Sequence, residues 1–529
     1  MIMPTNDQPK KAKLIQPADT ATRRIYWLNH IRTKREDGEA VELRPTPEQL
    51  AVAVAKCSRS STPFDQNVDD VSLEKAAEFH EKWVVGYGHA SVAEHAVASV
   101  AFQNIPQTVI KILEDTRLAS FTEVSSRYQV FTRQRVGFPK SLSQSEWGGR
   151  VNELFDALYG LYEECYALLD PIFRERQPQG DMPDAAYKAT IKAMVCDRVR
   201  YLLPAAALAS LGMTANARVW EHAIVKLLSS ADPLARQIGD EIKSVLRGFA
   251  SLDRDQALRY FPLPTLLKYA DPNEYLAGFA PKLSALSQEI TKSHGLTPEK
   301  GGEPMGGATA DHPVVCTFDD HLAEQRIAAS LLSRYSLIPM ERALEIVSKD
   351  KQLQSQLIKA ALENRGPHDA PPREFEHAWF QHEIVMDYGA WRDIQRHRIC
   401  TQTNQPLGTD LGYDMPDEIG EIGKAKEFGE VMDMARTLNR ELLAAGMVAE
   451  AQYVVPMAYR RRLLVGWNMR ELFHFIELRS GKKGHPSYRR IAQEVWKTIN
   501  ESHPTIAEFI RVDLSTESIS TLGAKPKGF

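Results

Sequence analysis

The sequence predicts a helix-rich α+β protein in which one folding unit is written twice. Three observations carry this: matching segments recur in the same order in the two halves, long stretches hold apolar residues at helical spacing, and short stretches alternate as strands do. In chain order, EQLAVAVAKCSRSS (48–61) resembles EQRIAASLLSRYS (324–336) with one residue fewer. GHASVAEHAVASVAF (88–102) pairs with APPREFEHAWFQHEI (370–384) through Glu94-His95 and Glu376-His377. Within these lie AVASVAFQN (96–104) and AWFQHEIV (378–385), both expected as strands. IPQTVIKILEDTR (105–117) opens on a first-turn proline and sets Ile110 and Leu113 at helical spacing. YLLPAAALASLGMTANARVWEHAI (201–224) aligns without a gap to YVVPMAYRRRLLVGWNMRELFHFI (453–476), so Asn216 and Arg218 match Asn468 and Arg470. WNMRELFHFIELR (467–479) is expected as a helix with Arg470 and His474 on one face. Two helices of similar composition produce one such match; several in order are a duplication.

Between the copies, TKSHGLTPEKGGEPMGGATADHP (291–313) is dense in Gly and Pro, the composition of a connector. The expected division is a tail at 1–20, a first domain at 21–290, the linker at 291–313 and a second domain at 314–529. Composition excludes several classes. With 43% hydrophobic and 25% charged residues and a net charge of −4, the chain has no basic field for nucleic acid or a membrane surface. Its five cysteines are scattered, odd in number and never spaced CxxC, against a disulfide framework or zinc site. No signal segment or membrane-length apolar stretch is present, so a cytoplasmic setting is expected.

Two polar clusters stand out. In ASFTEVSSRY (119–128), Glu123, Ser125 and Arg127 alternate, and extended backbone would project them to one side. An arginine fork matches phosphate, while hydroxyl and carboxylate suit a sugar or base. A polar edge strand or helix-capping run is the competing reading. The second cluster, WRDIQRHR (391–398), holds three arginines and a histidine and could clamp an anionic cofactor or form an exposed basic patch. Arg479 closes FIELR, where a basic last turn also complements the helix dipole. GYGHAS (86–91) lacks the third glycine of a dinucleotide fingerprint, and no P-loop, nucleophile elbow or HExxH occurs. His377 and His382, five apart, are expected as core or surface histidines, and no metal is expected.

Together these residues resemble the flavin-dependent thymidylate synthases, whose signature RHRxxSxNExSxRY is preceded by GHxSxxEH and followed by ARxxLP, NxR and a helix ending in LR. The first copy keeps Arg117, Ser120, Glu123, Ser125, Arg127 and Tyr128 but has Asp115-Thr116 for Arg-His; the second keeps Arg396, His397 and Arg398 and loses the rest. Arg200 matches the arginine before LP, where the second copy has Gln452. Arg479 matches the helix-terminal arginine, where the first copy has Leu227. Neither copy is complete, and together they are. The resemblance therefore implies two tandem copies of that fold, an antiparallel sheet with packed helices, and one composite site. The family's tetramer further implies a homodimer of this chain.

By the same resemblance, the activity is methylation of dUMP to dTMP with FAD, NADPH and methylenetetrahydrofolate. Glu123, Ser125, Arg127, Arg200, Arg396 and Arg479 would bind dUMP, with Arg479 also stabilising charge on the base. Arg396, His397, Arg398, Asn468, Arg470 and His474 would bind FAD. Ser125 has no neighbouring base in sequence and is assigned to binding. Asp393 stands where the family usually has glutamine, Thr122 replaces the motif asparagine, and PPREFEH departs from GHxSxxEH. Another pyrimidine nucleotide as substrate, or a silent nucleotide- or flavin-binding protein, are the alternatives.

Overall fold

The computed structural model describes residues 27–60, 62–249, 251–295 and 307–516. The expected N-terminal tail and most of the expected linker lie outside them. A small hairpin pairs β1 (Ile31–Lys34) with β2 (Ala40–Leu43). Strands β3 (Val97–Pro106), β4 (Ser120–Glu123) and β5 (Leu208–Asn216) form a sheet in the order β3-β5-β4. A four-stranded antiparallel sheet runs β6-β7-β9-β8, from β6 (Val314–Phe318), β7 (Trp379–Asp387), β8 (Thr401–Asn404) and β9 (Arg460–Asn468). Both stretches expected as strands are strands, and the strand order of the first sheet recurs as β7-β9-β8.

The helices that matter for function are α1 (Gln107–Glu114), α2 (Gly148–Arg176), α3 (Asp184–Val199), α4 (Ala217–Leu228), α5 (Tyr388–Ile394), α6 (Met469–Arg479) and α7 (Pro486–Ser502). Pro106 sits at the N-cap of α1, just outside the helix rather than in its first turn. Asn216 and Asn468 cap α4 and α6 by accepting from Val219 N and Glu471 N, so the matched N-x-R motif marks two equivalent helix starts.

Hydrogen bonds repeat between the copies. Ala217 N donates to Ala96 O as Met469 N does to Ala378 O; Gln107 N to Ala207 O as Tyr388 N to Tyr459 O; Val124 N to Ser210 O as Gln405 N to Arg462 O. Strand β3 is one residue longer than β7. Asn104 takes up the added residue at φ +58°, in the left-handed region that asparagine tolerates.

By compactness the chain divides into one unit of 1–102, 118–122 and 211–285 and a second of 103–117, 123–210 and 286–529. This cut does not follow the sequence repeats. Within the second unit the two LP-type loops meet. Ala205 N donates to Val455 O and Met457 N to Leu203 O, each at 2.9 Å, while Ala206 N donates to Tyr453 O and Ala458 N to Tyr201 O. These four bonds form two equivalent pairs about Pro204 and Pro456, a local two-fold arrangement. Its core includes Trp391, Trp467, Phe475 and Tyr453, all buried. No helix among the described residues is long and apolar enough to cross a membrane.

Candidate functional site

Helix α5 positions the first charged side chains. Asp387 caps it, accepting from Ala390 N at 2.7 Å and from the Ser487 hydroxyl. Burial pushes this carboxyl up to about 6, although Arg200 opposes the rise. The helix directs buried Arg392 at the end of β4, where its guanidinium donates to Glu123 Oε1 at 2.6 Å and to Ser126 Oγ at 3.0 Å. Gln107 and Lys111 of α1 each donate to Glu123 at 3.0 Å, and Arg396 approaches it at 3.7 Å. The Glu123 side chain is 1% exposed. Burial alone would raise its pKa, but Arg392 and Lys111 outweigh that and hold the carboxyl well below its ordinary range.

The backbone beyond Glu123 does not stay extended, contrary to the alternation in the sequence. The strand ends there, Ser125 Oγ accepts from Arg127 N, and Tyr128 N donates to Ser125 O, closing a turn. Ser125 and Arg127 reach the same cavity as Glu123 through that turn. Asp197 of α3 grips Arg127 with both oxygens, at 2.6 and 2.8 Å, and Arg127 also donates to the Tyr488 hydroxyl at 3.3 Å. Arg200 follows α3 directly. It is 2% exposed, yet its Nε and one terminal nitrogen have no partner. Guanidinium nitrogens buried without a partner are costly, and the rest of the side chain borders the cavity described below.

From the second copy comes Arg479, the last residue of α6. Its Nε donates to His397 Nε2 at 3.0 Å, its NH1 lies 3.5 Å from Asp393 Oδ1, and its guanidinium sits over the Tyr488 ring. Tyr488 thus touches arginines from both copies. On its other edge, His397 Nδ1 meets Glu471 Oε1 at 2.8 Å. Burial, then the Arg479 charge, hold His397 far below its ordinary pKa, so the ring is neutral.

Glu123, Ser125, Arg127, Arg200, Arg396 and Arg479, the six residues expected at a nucleotide, line one cavity of about 690 Å³. All six belong to the second compact unit. Asp393, Lys482 and Lys483 line it too. The lysines ride on a loop between α6 and α7 that needs a glycine: a Cβ on Gly484 would fall 2.7 Å from the Tyr488 ring. Among the expected flavin residues only Arg396 lines this cavity. Arg398, Asn468, Arg470 and His474 do not, and His397 stands behind Arg479 with both ring nitrogens engaged.

Comparison with known sequences meets this geometry. The family described as thymidylate synthase complementing protein matches residues 40–249 and 319–505, a segment in each repeat. The chain belongs to the thymidylate synthase complementing protein family. A UPF0159 protein of Chlamydia muridarum is 30% identical over 471 residues, covering 86% of this chain and 84% of that protein. A UPF0159 protein of Thermoplasma acidophilum is 24% identical over 516 residues, covering 89% and 97%. The flavin-dependent thymidylate synthase of Geobacter sulfurreducens is 29% identical over 140 residues, covering 25% of this chain and 60% of that protein.

For a flavin such as the resemblance implies, the available groups include exposed Arg396 and exposed His474, whose ring centroid lies 5.2 Å from that of buried His397. Arg470 is anchored by Pro371 O at 2.8 Å and Glu376 at 3.3 Å. This donor set suits an anionic, aromatic group. Ligand atoms of His397, Glu471 and His474 lie within 4.8 Å of one another, but the Arg479 guanidinium bonded to the same imidazole repels a cation there. Burial pushes the Cys165 and Cys196 thiols up to about 12, away from nucleophilic use.

Sequence reasoning missed Lys111, Asp197, Tyr488 and Glu471, and saw Arg392 without its partner. Asp197 carries no local signal, since it lies 70 positions from the arginine it holds. Glu471 had one: Asn-x-x-Glu at a helix start reads as a capping pair, and that pattern conceals its actual contact.

Proposed function

We propose that this protein transfers a one-carbon unit to C5 of dUMP, yielding dTMP, with FAD as cofactor and with NADPH and methylenetetrahydrofolate as co-substrates. The observation that carries the reading is that six residues, Glu123, Ser125, Arg127 and Arg200 from the first repeat and Arg396 and Arg479 from the second, line a single cavity of about 690 Å³. Its cationic wall, to which Arg200 belongs, fits the phosphate and sugar oxygens of a nucleoside monophosphate. Arg127, locked by Asp197, grips the phosphate side with Ser125. Glu123 acts chiefly as the fixed counter-charge that holds Arg392 in the cavity wall, with Lys111 bound to it from behind. Arg479 donates to a uracil carbonyl and stabilises negative charge as C5 becomes nucleophilic; such a preorganised charge is worth about 2.7–4 kcal/mol.

Flavin, when bound, supplies the redox chemistry; Arg396, Arg398, Asn468, Arg470 and His474 hold it, with His397 supporting from behind. The reading also takes residues 21–290 and 314–529 as two copies of the family fold joined at 291–313, and two chains as a homodimer. A cytoplasmic setting fits the free cysteines.

Asp393 favours a second reading, in which the nucleotide carries a different pyrimidine. Its carboxylate lines the cavity beside Arg479, and an acceptor-donor pair of this kind also fits the amino and ring nitrogens of cytosine. Mass analysis of the nucleotide after incubation with FAD, NADPH, methylenetetrahydrofolate and either dUMP or dCMP tests both. A methylated dUMP product is expected. Unchanged dUMP in a validated assay with flavin bound refutes the primary reading, and modification of dCMP alone replaces it.

A further inference from the structure

The contacts around Arg479 can be assigned without ambiguity. A guanidinium only donates, so His397 Nε2, 3.0 Å from Arg479 Nε, must present a lone pair. The neutral ring then carries its proton on Nδ1, and Glu471 Oε1, 2.8 Å away, must accept it. We infer that Glu471 is a positioning residue which, through His397, fixes the direction in which Arg479 presents its guanidinium to the nucleotide cavity.

The bland reading of Glu471 is a capping box, in which a glutamate in the first helical turn reaches back to the N-cap backbone. Half of that pair is present: Asn468 Oδ1 accepts from Glu471 N at 2.9 Å. The other half is not, because the Glu471 carboxylate turns to His397 instead. Capping thereby fixes the Glu471 backbone while its side chain does other work. Glu471 and His397 are buried, and Glu471 does not line the cavity, so it acts only through what it holds. The ring itself is wedged between His474 and the edge of Phe475, at 5.2 and 5.1 Å. Removing Glu471 frees the imidazole to place its proton on Nε2, where it would confront Arg479 Nε–H, donor against donor. Arg479 would then be left only its 3.5 Å contact with Asp393 and the Tyr488 ring.

The consequence for catalysis rests on the proposed role of Arg479 at the base; the contact chain does not. Histidine-selective 15N NMR of the intact wild-type protein, with His397 assigned by His397→Gln, reads the tautomer without any ligand. Protonation at Nδ1 is expected, and protonation at Nε2 overturns the inference. Calorimetric binding of dUMP to Glu471→Gln, Glu471→Leu, Arg479→Ala and the Glu471→Leu/Arg479→Ala double variant then tests the coupling. Glu471→Gln keeps an acceptor and should bind within about twofold of wild type. Glu471→Leu should weaken binding roughly 10–100-fold. The double variant should be no weaker than Arg479→Ala alone, because one effect runs through the other. Additive losses in the double variant, or wild-type binding by Glu471→Leu, overturn the inference. If wild type binds dUMP but forms no methylated product, the proposed function fails while this cycle still reads out.

Discussion

The two repeats differ most where they are most easily superimposed. Lys111 is the fifth residue of α1 and Arg392 the fifth of α5; Glu123 closes β4 and Asn404 closes β8; Arg200 and Gln452 each open a short helical turn. Arg479 and Leu227 are the eleventh residues of α6 and α4. In the first copy Glu123 balances both Lys111 and Arg392, whereas the Asn404 side-chain oxygen is buried without a partner. Leu227 is fully buried where Arg479 reaches a cavity. On the proposed function, each copy supplies the part the other lacks. A symmetric pair of separate chains cannot divide labour this way, since every change appears in both sites; tandem fusion removes that constraint.

The largest effects should come from the two arginines that complete the division. Arg127→Ala and Arg479→Ala should each lower turnover by at least about a hundredfold in the product assay. Gly408→Ala, at the second copy's counterpart of the arginine run, should leave turnover unchanged. A hundredfold loss there would mean that the second copy also holds nucleotide.

Next comes the charge cluster. Glu123→Gln leaves buried Arg392 without its direct counter-charge and Lys111 with Glu114 alone, and should cost about 3–5 kcal/mol of stability at neutral pH by denaturant titration. Because the Glu123 pKa is depressed in the folded state, its contribution is present above the unfolded value of about 4.3 and fades as pH falls below it. The gap between wild type and Glu123→Gln should therefore narrow below about pH 4; a gap independent of pH would show that the carboxylate is not ionised. Leu227→Ala, which only opens a cavity, should cost about 2–5 kcal/mol at any pH. Smallest, Asp393→Gln removes a carboxylate from beside an anionic nucleotide and should tighten dUMP binding by less than about tenfold in calorimetry. Weaker binding instead would show Asp393 contacting the base.

Much of this site was legible in the sequence, for physical reasons that also explain what was hidden. Helical spacing in 467–479 gave α6 to within two residues at its start and placed Arg479 on its last turn. The strand at 96–104 and the helix after Pro106 followed from period and proline. What stayed hidden depends on pairing across long separations. Nothing near Arg392 announces Glu123, 269 positions away, and nothing near Arg127 announces Asp197 or Tyr488. The alternation of Glu123, Ser125 and Arg127 pointed to one shared face through the wrong backbone, because a serine-initiated turn brings the later two to the cavity that Glu123 lines.

The most direct test of the central claim, one site assembled from both repeats of a single chain, is complementation between inactive variants. Purified Arg127→Ala and Arg479→Ala proteins, unfolded together, refolded and assayed for methylated dUMP, should recover no activity, because every mixed assembly still lacks one of the two arginines in each complete site. Recovery toward a quarter of wild-type turnover would show that the halves pair between chains and would contradict the account.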